Sequence, residues 1–172
     1  LAGAVWFNLL TLVGHLVFPI RALQDNLARC YEQLAHYLEL KSRLFDPDIE
    51  EASQAPLYEL ALSNSQLVTT LNQTKGTMLT RLRGDRGQRS TRQALHYYFA
   101  AQDIHERASS SHIQYQTLRE HFRYSDVMFR FQRLLSMQSQ ACAQLSRAIL
   151  LREPYQHDSR FERVFLHLDA AL

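Results

Sequence analysis

The residues best suited to chemistry lie between Asp103 and His112, where the chain reads Asp-Ile-His-Glu-Arg-Ala-Ser-Ser-Ser-His. Asp103, His105, Glu106, Arg107 and His112 offer acid–base groups and metal ligands in this short run. A zinc site on a helix needs ligands three or four residues apart, so that both point one way. His105 and His112 stand two turns apart, and Ser109 occupies the place where a His-Glu-x-x-His motif needs its second histidine. The run therefore reads as a polar cluster in or beside a helical bundle, with Arg107 placed to bridge to a carboxylate on a neighbouring helix. Proton-linked or ligand sensing is the functional alternative, because histidine titrates near neutral pH.

A second constellation is basic. Lys75, Arg81, Arg83, Arg86, Arg89 and Arg92 face only Asp85 in opposition. Such a run suits contact of Arg81, Arg83, Arg86, Arg89 and Arg92 with anionic lipid headgroups or an acidic partner surface. The bland alternative is a solvated helix–helix corner whose arginines pair with the acidic stretch Asp46 to Glu51. Nucleic acid is not expected, since no stacking aromatics interrupt the run and the net charge is only +2. Cys30 and Cys142 form no disulfide framework and read as reduced thiols. There is no phosphate-binding glycine loop, nucleophile elbow, Cys-x-x-Cys pair or EF-hand pattern. The residues point to no catalytic site, no metal and no cofactor, and so to a protein that is not an enzyme.

Helices must position these groups. With 5 Gly and 4 Pro in 172 residues and 46% hydrophobic content, long uninterrupted helices are favoured over a turn-rich β fold. Leu23, Leu27, Tyr31, Leu34, Leu38, Leu44 and Phe45 mark one helical stripe, ending near Asp46-Pro47. Leu57, Leu60, Leu67, Val68, Leu71, Met78, Leu79 and Leu82 mark a second, with a more polar face around Asn64, Gln73 and Thr74. A third carries Leu95, Tyr98, Phe99, Gln102, Ile104 and Ala108 before a break at Ser109 to Ser111, and a further segment holds Ile113, Leu118 and Phe122. The clearest stripe is Met128, Phe131, Leu134, Leu135, Gln138, Cys142, Leu145 and Ile149, close to a heptad seam. Asp158 can cap a last helix with Phe161, Val164, Phe165 and Leu168. Tyr97, Tyr98, Phe99, Phe122, Tyr124, Phe129 and Phe131 read as core rings. These patterns predict an all-α fold, an antiparallel bundle of four or five long helices over residues 21–172.

Leu1 to Ile20 holds no Asp, Glu, Lys or Arg, and a charge-free run of that length is a membrane-span candidate. Residues 1–20 thus predict the C-terminal end of a transmembrane helix. Arg21 and Arg29 just after it predict a cytoplasmic exit. The chain opens with Leu1 and stops at Ala170-Ala171-Leu172 inside an apolar pattern, which predicts a piece of a longer protein.

Five stretches carry a further signal: Leu9 to Pro19 with Arg21, Gln24 to Leu40, Leu79 to Arg92, His96 to Phe99, and Gln102 to Phe122. On these the chain resembles the FUSC-like (fusaric acid resistance-like) inner-membrane protein family, over essentially all of its length. The resemblance implies a larger bacterial inner-membrane protein with two membrane blocks separated by a soluble cytoplasmic region. This chain would be the tail of the first block and the first part of the soluble region, with residues after Ile20 in the cytoplasm. The resemblance also implies an association with efflux of aromatic carboxylic acids, and it supplies no catalytic motif. The expected partners are membrane lipids, other parts of the same membrane protein, and further copies in a homo-oligomer. The expected role is assembly, gating or substrate reception without covalent chemistry. A reading of another class is a soluble helical adaptor, sensor or scaffold with residues 1–20 packed in its core.

Overall fold

The computed structural model describes residues 19–46, 55–83, 88–110, 121–122 and 126–154, the side chains of 19–20 and 88–90 excepted. Four long helices are described: α1 (Pro19–Arg43), α2 (Ala55–Leu82), α3 (Gln88–Ser110) and α4 (Asp126–Leu151). Among the described residues there is no strand, and the fold is the expected all-α bundle. The expected span at residues 1–20, apart from Pro19 and Ile20, lies outside the described residues, as does the expected helix at 158–168. No described helix is long and apolar enough to cross a membrane.

Helix α1 is the hub. Its stripe of Leu23, Leu27, Tyr31, Leu34, Leu38, Leu44 and Phe45 is buried throughout, as its spacing predicts. Pro19 opens the helix at a position where a missing N–H costs nothing. Lys41 and Arg43 in the last turn complement the negative end of its dipole. The end tightens into a 3₁₀-like turn, with Leu44, Phe45 and Asp46 N–H donating to the Lys41, Ser42 and Arg43 carbonyls at 3.0–3.1 Å.

The side-chain bonds give the topology. Asn26 and Cys30 meet Thr77 and Thr74, so α2 runs antiparallel to α1. Tyr31 and Lys41 donate to the carbonyls of Tyr97 and Ala108, so α3 runs parallel to α1. Ser139 and Ser146 donate to the carbonyls of Ala35 and Ala28, so α4 returns antiparallel. The result is an up-down-up-down bundle in which α2, α3 and α4 all pack on α1, while α3 and α4 scarcely touch each other.

Of the expected α4 seam, Met128, Leu134 and Cys142 are buried, while Leu135, Leu145 and Ile149 are half-buried. Ser139 and Ser146, outside that seam, are buried against α1 as well. Ala28 and Ala35 are one heptad apart, as are Ser139 and Ser146. Small residues let the two backbones approach closely enough for each hydroxyl to reach a carbonyl across the interface, at 2.8 and 2.7 Å. Helix α4 ends on Arg152 in the left-handed region (φ 56), and Glu153 N–H reaches back to the Ala148 carbonyl at 3.0 Å. That bond satisfies a carbonyl of the last turn and turns the chain at the place where glycine usually stands.

The second stripe splits into two faces. Leu60, Ser63, Leu67, Thr70, Leu71, Thr74 and Met78 are buried, whereas Leu57, Val68, Leu79 and Leu82 are exposed. Thr74, expected on a polar face, is fully buried; its hydroxyl donates to the Thr70 carbonyl at 2.8 Å and lies 3.2 Å from Cys30 Sγ. Of the expected core rings, Tyr98 is buried and Phe131 stacks on Phe45, but Phe99 and Phe129 are exposed.

Candidate functional site

Two groupings of polar residues sit at opposite ends of the bundle. The first gathers where α1 and α3 end and α2 begins. Lys41 continues the α1 stripe three residues after Leu38, so its side chain enters the core, 1% exposed. Its Nζ donates to the carbonyl of Ala108 in the last turns of α3. A cation there meets the negative end of the α3 dipole. Burial lowers the Lys41 pKa from 10.5 to about 8. At pH 7 the ammonium still carries its charge.

His105 lies beside it. A ring nitrogen is 2.7 Å from Asn64 Oδ1 on α2, and the ring packs edge-on against Tyr37 at 5.8 Å. Burial lowers the His105 pKa; the Lys41 charge lowers it further, against a pull upward from Glu106. The Tyr37 hydroxyl is buried with no hydrogen-bond partner among the described residues, and burial raises its pKa. This arrangement ties α1, α2 and α3 in one register. Lys41 and Tyr37 are the members that polarity-based reading missed; the signal was their place on the α1 stripe.

Of the described members of the expected polar cluster, only His105 turns inward. Asp103, Glu106 and Arg107 are exposed. Arg107 pairs with Asp103 on its own helix at 2.9 Å rather than with a neighbouring helix, because residues four apart share a face. Glu106 accepts from Gln102 at 3.1 Å. His112 lies outside the described residues. No group of three His, Cys, Asp or Glu among the described residues comes together in a way that could hold a metal ion.

The second grouping surrounds a cleft of about 640 Å³ at the end where α1 begins. The cleft opens because α3 and α4 flank α1 without closing on each other. Leu23, Leu27, Ala94, Tyr97, Leu145 and Ile149 give it apolar walls; Arg81 and Arg152 bring cations, Glu153 brings a carboxylate, and Gln24 and Gln93 bring amides. Arg152 Nε is fixed by a 3.3 Å bond to Gln24 Oε1. Its volume falls in the range of small-molecule sites.

The basic run thus divides. Arg81 is half-buried and lines the cleft, Arg83 and Arg92 are exposed, Arg86 is outside the described residues, and Arg89 falls in α3. Asp46 closes α1 at the far end of the bundle from Arg81 and Arg83, since α2 runs antiparallel. The expected pairing of these two arginines with Asp46 is therefore excluded by roughly 40 Å of helix. Both cysteines are free and buried; burial raises the Cys30 thiol and lifts Cys142 to about 12, so neither is an activated nucleophile.

The family described as FUSC-like inner membrane protein yccS matches residues 1–172. The chain is 80% identical to Inner membrane protein YccS of Escherichia coli over 172 residues, all of this chain and 24% of that protein. It is 37% identical to an uncharacterized protein of Haemophilus influenzae over 166 residues, 96% of this chain and 23% of that protein. The chain thus spans about a quarter of the length of the curated relatives it matches. No solved structure matches it.

Proposed function

The chain belongs to the FUSC-like inner-membrane family, and we propose that it is the cytoplasmic helical domain of an inner-membrane efflux protein, receiving an aromatic carboxylate at the inner face. One observation carries this reading: an apolar cleft with Arg81 and Arg152 at its wall opens at the end of the bundle where α1 leaves the charge-free segment. Tyr97, Leu27 and Ile149 would hold the ring, and the two guanidiniums would hold the carboxylate, which suits their fork geometry. The domain would do no covalent chemistry. Because α1 is held by the three other long helices described, displacement at its start would be felt by all of them, which supports a part in gating and assembly.

Titration of 4-hydroxybenzoate into the full-length protein in detergent tests this. A hydrogen bond to a charged group is worth about 1.5–3 kcal/mol, so Arg81→Ala and Arg152→Ala each weaken binding about tenfold or more. Absence of binding to the wild type, or unchanged affinity in the double variant, would defeat the proposal.

A further inference from the structure

The side-chain bonds set the heights of the helices: Asn26 stands level with Thr77, Ala28 with Ser146 and Tyr31 with Tyr97. On that scale Arg81, Arg83, Arg92, Arg147 and Arg152 all lie within about two turns of Arg21 along the bundle. One end thus collects six arginines from all four helices and their ends, against Asp25 and Glu153 among the described side chains. Arg81 and Arg152 line the cleft; Arg21, Arg83, Arg92 and Arg147 lie outside it and are exposed. Leu82, 46% exposed, and Leu150 and Leu151, 55% and 58% exposed, sit among them. The opposite end is of mixed charge: Asp46, Glu59, Asp103, Glu106 and Asp126 stand there, and Arg107 and Arg130 pair with Asp103 and Asp126. Helix dipoles do not account for the cations. The opening turns of α1 and α3 hold Arg21 and Arg92 with no acid in the first turn, although a helix N-terminus favours anions. Asp126 in the first turn of α4 is the usual choice.

We propose that this end of the bundle rests on the anionic lipid headgroups of the membrane. Arg83, Arg92 and Arg147 meet lipid phosphates, and Leu82, Leu150 and Leu151 enter the boundary between headgroups and acyl chains. The argument for lipid is charge and place together. The charge-free run Leu1 to Ile20 leads straight into this end, in a chain of an inner-membrane family. Guanidiniums interspersed with leucines fit the interfacial layer, where phosphate and hydrocarbon lie within one side chain's reach. An acidic protein surface would match the arginines but leave the leucines against charge. Arg83, Arg92 and Arg147 have no ion-pair partner among the described residues, so their charge is available to an outside anion. Phosphates there would also supply the anion that the starts of α1 and α3 lack. None of the three arginines lines the cleft, so the contact does not depend on what the cleft binds.

Fluorescence quenching in the full-length protein tests it. An environment-sensitive NBD label at Leu151→Cys is read in phosphatidylcholine vesicles with and without phosphatidylglycerol, with brominated lipid as the quencher. Tyr58→Cys, at the other end of α2 and roughly 35 Å away by helix length, is the control. With phosphatidylglycerol present, the label at position 151 is quenched and the label at position 58 is not. Omitting phosphatidylglycerol, raising the salt, or substituting Arg83→Gln, Arg92→Gln and Arg147→Gln together lowers the quenching, since each arginine at the surface is worth roughly fivefold in occupancy. Equal quenching at positions 151 and 58 would overturn the proposal. So would quenching at 151 that persists unchanged without phosphatidylglycerol or in the triple variant. A blue-shifted label at 151 that brominated lipid does not quench marks a protein surface on this end, another part of the longer chain included, and also overturns it. Because these positions are exposed, the substitutions leave the core intact, and the melting temperature of each variant checks that.

Discussion

Replacing Lys41 by methionine removes the buried charge while keeping a flexible stem of similar volume. The folded chain lowers the Lys41 pKa from 10.5 to about 8. Between those values the unfolded chain binds more protons than the folded one, so stability rises with pH through that window. The contribution is fully present above about pH 10.5 and gone below about pH 8. Each pH unit is worth about 1.4 kcal/mol, so the window carries on the order of 3 kcal/mol. Tyr31, Tyr37, Tyr98, Cys30 and Cys142 act in the opposite sense. Their pKa values are raised in the fold, so their contribution falls as pH rises past the unfolded values. Both proteins share them, so they largely cancel in the difference. The measurement is urea unfolding of wild type and Lys41→Met by far-ultraviolet circular dichroism at pH 7, 8, 9 and 10. Wild type should gain on the variant steadily from pH 8 upward. A difference constant to within about 0.5 kcal/mol over that range would show that Lys41 is hydrated, and the burial argument would fail.

Three further outcomes follow from the packing. Ser146→Ala removes the bond to the Ala28 carbonyl and should cost about 1 kcal/mol, whereas Ser146→Leu forces α1 and α4 apart and should cost about 1–3 kcal/mol or more, both read from urea midpoints. Leu38→Ala, at a fully buried position on the hub helix, should cost about 2–5 kcal/mol; a loss under 1 kcal/mol would mean that α1 is not central. Arg152→Gly relieves the left-handed backbone but loses the contact with Gln24; relief of about 1 kcal/mol should dominate, visible as a higher Tm.

The apolar stripe of α1 was legible because burial on three sides leaves an unbroken 3.6-residue rhythm. Lys41 sits on that rhythm but was passed over, because a lysine is normally solvated and only its four-carbon stem fits it for a core. The α2 pattern ran two faces together: periodicity tells which residues share a side, not which side is covered. On α4 the large residues were legible and Ser139 and Ser146 were not, since their value lies in being small and in reaching a carbonyl on another helix. Among the described candidate site residues, Arg81 and His105 turn inward while Arg83, Arg92, Asp103, Glu106 and Arg107 stay in solvent. Helical phase separates them, but choosing the inward phase needs the neighbouring helices.

The pairing of α1 with α4 has a consequence for biosynthesis. Ser139 and Ser146 reach residues 104 and 118 positions earlier in the chain. At about 5–20 residues per second, Ala28 and Ala35 leave the ribosome roughly 5–20 s before the helix that covers them exists. Through that interval, of the described helices, α2 and α3 alone are present to shelter the α1 face that α4 later covers. Correct folding therefore depends on α2 and α3 holding α1 in a soluble, incomplete bundle until α4 arrives.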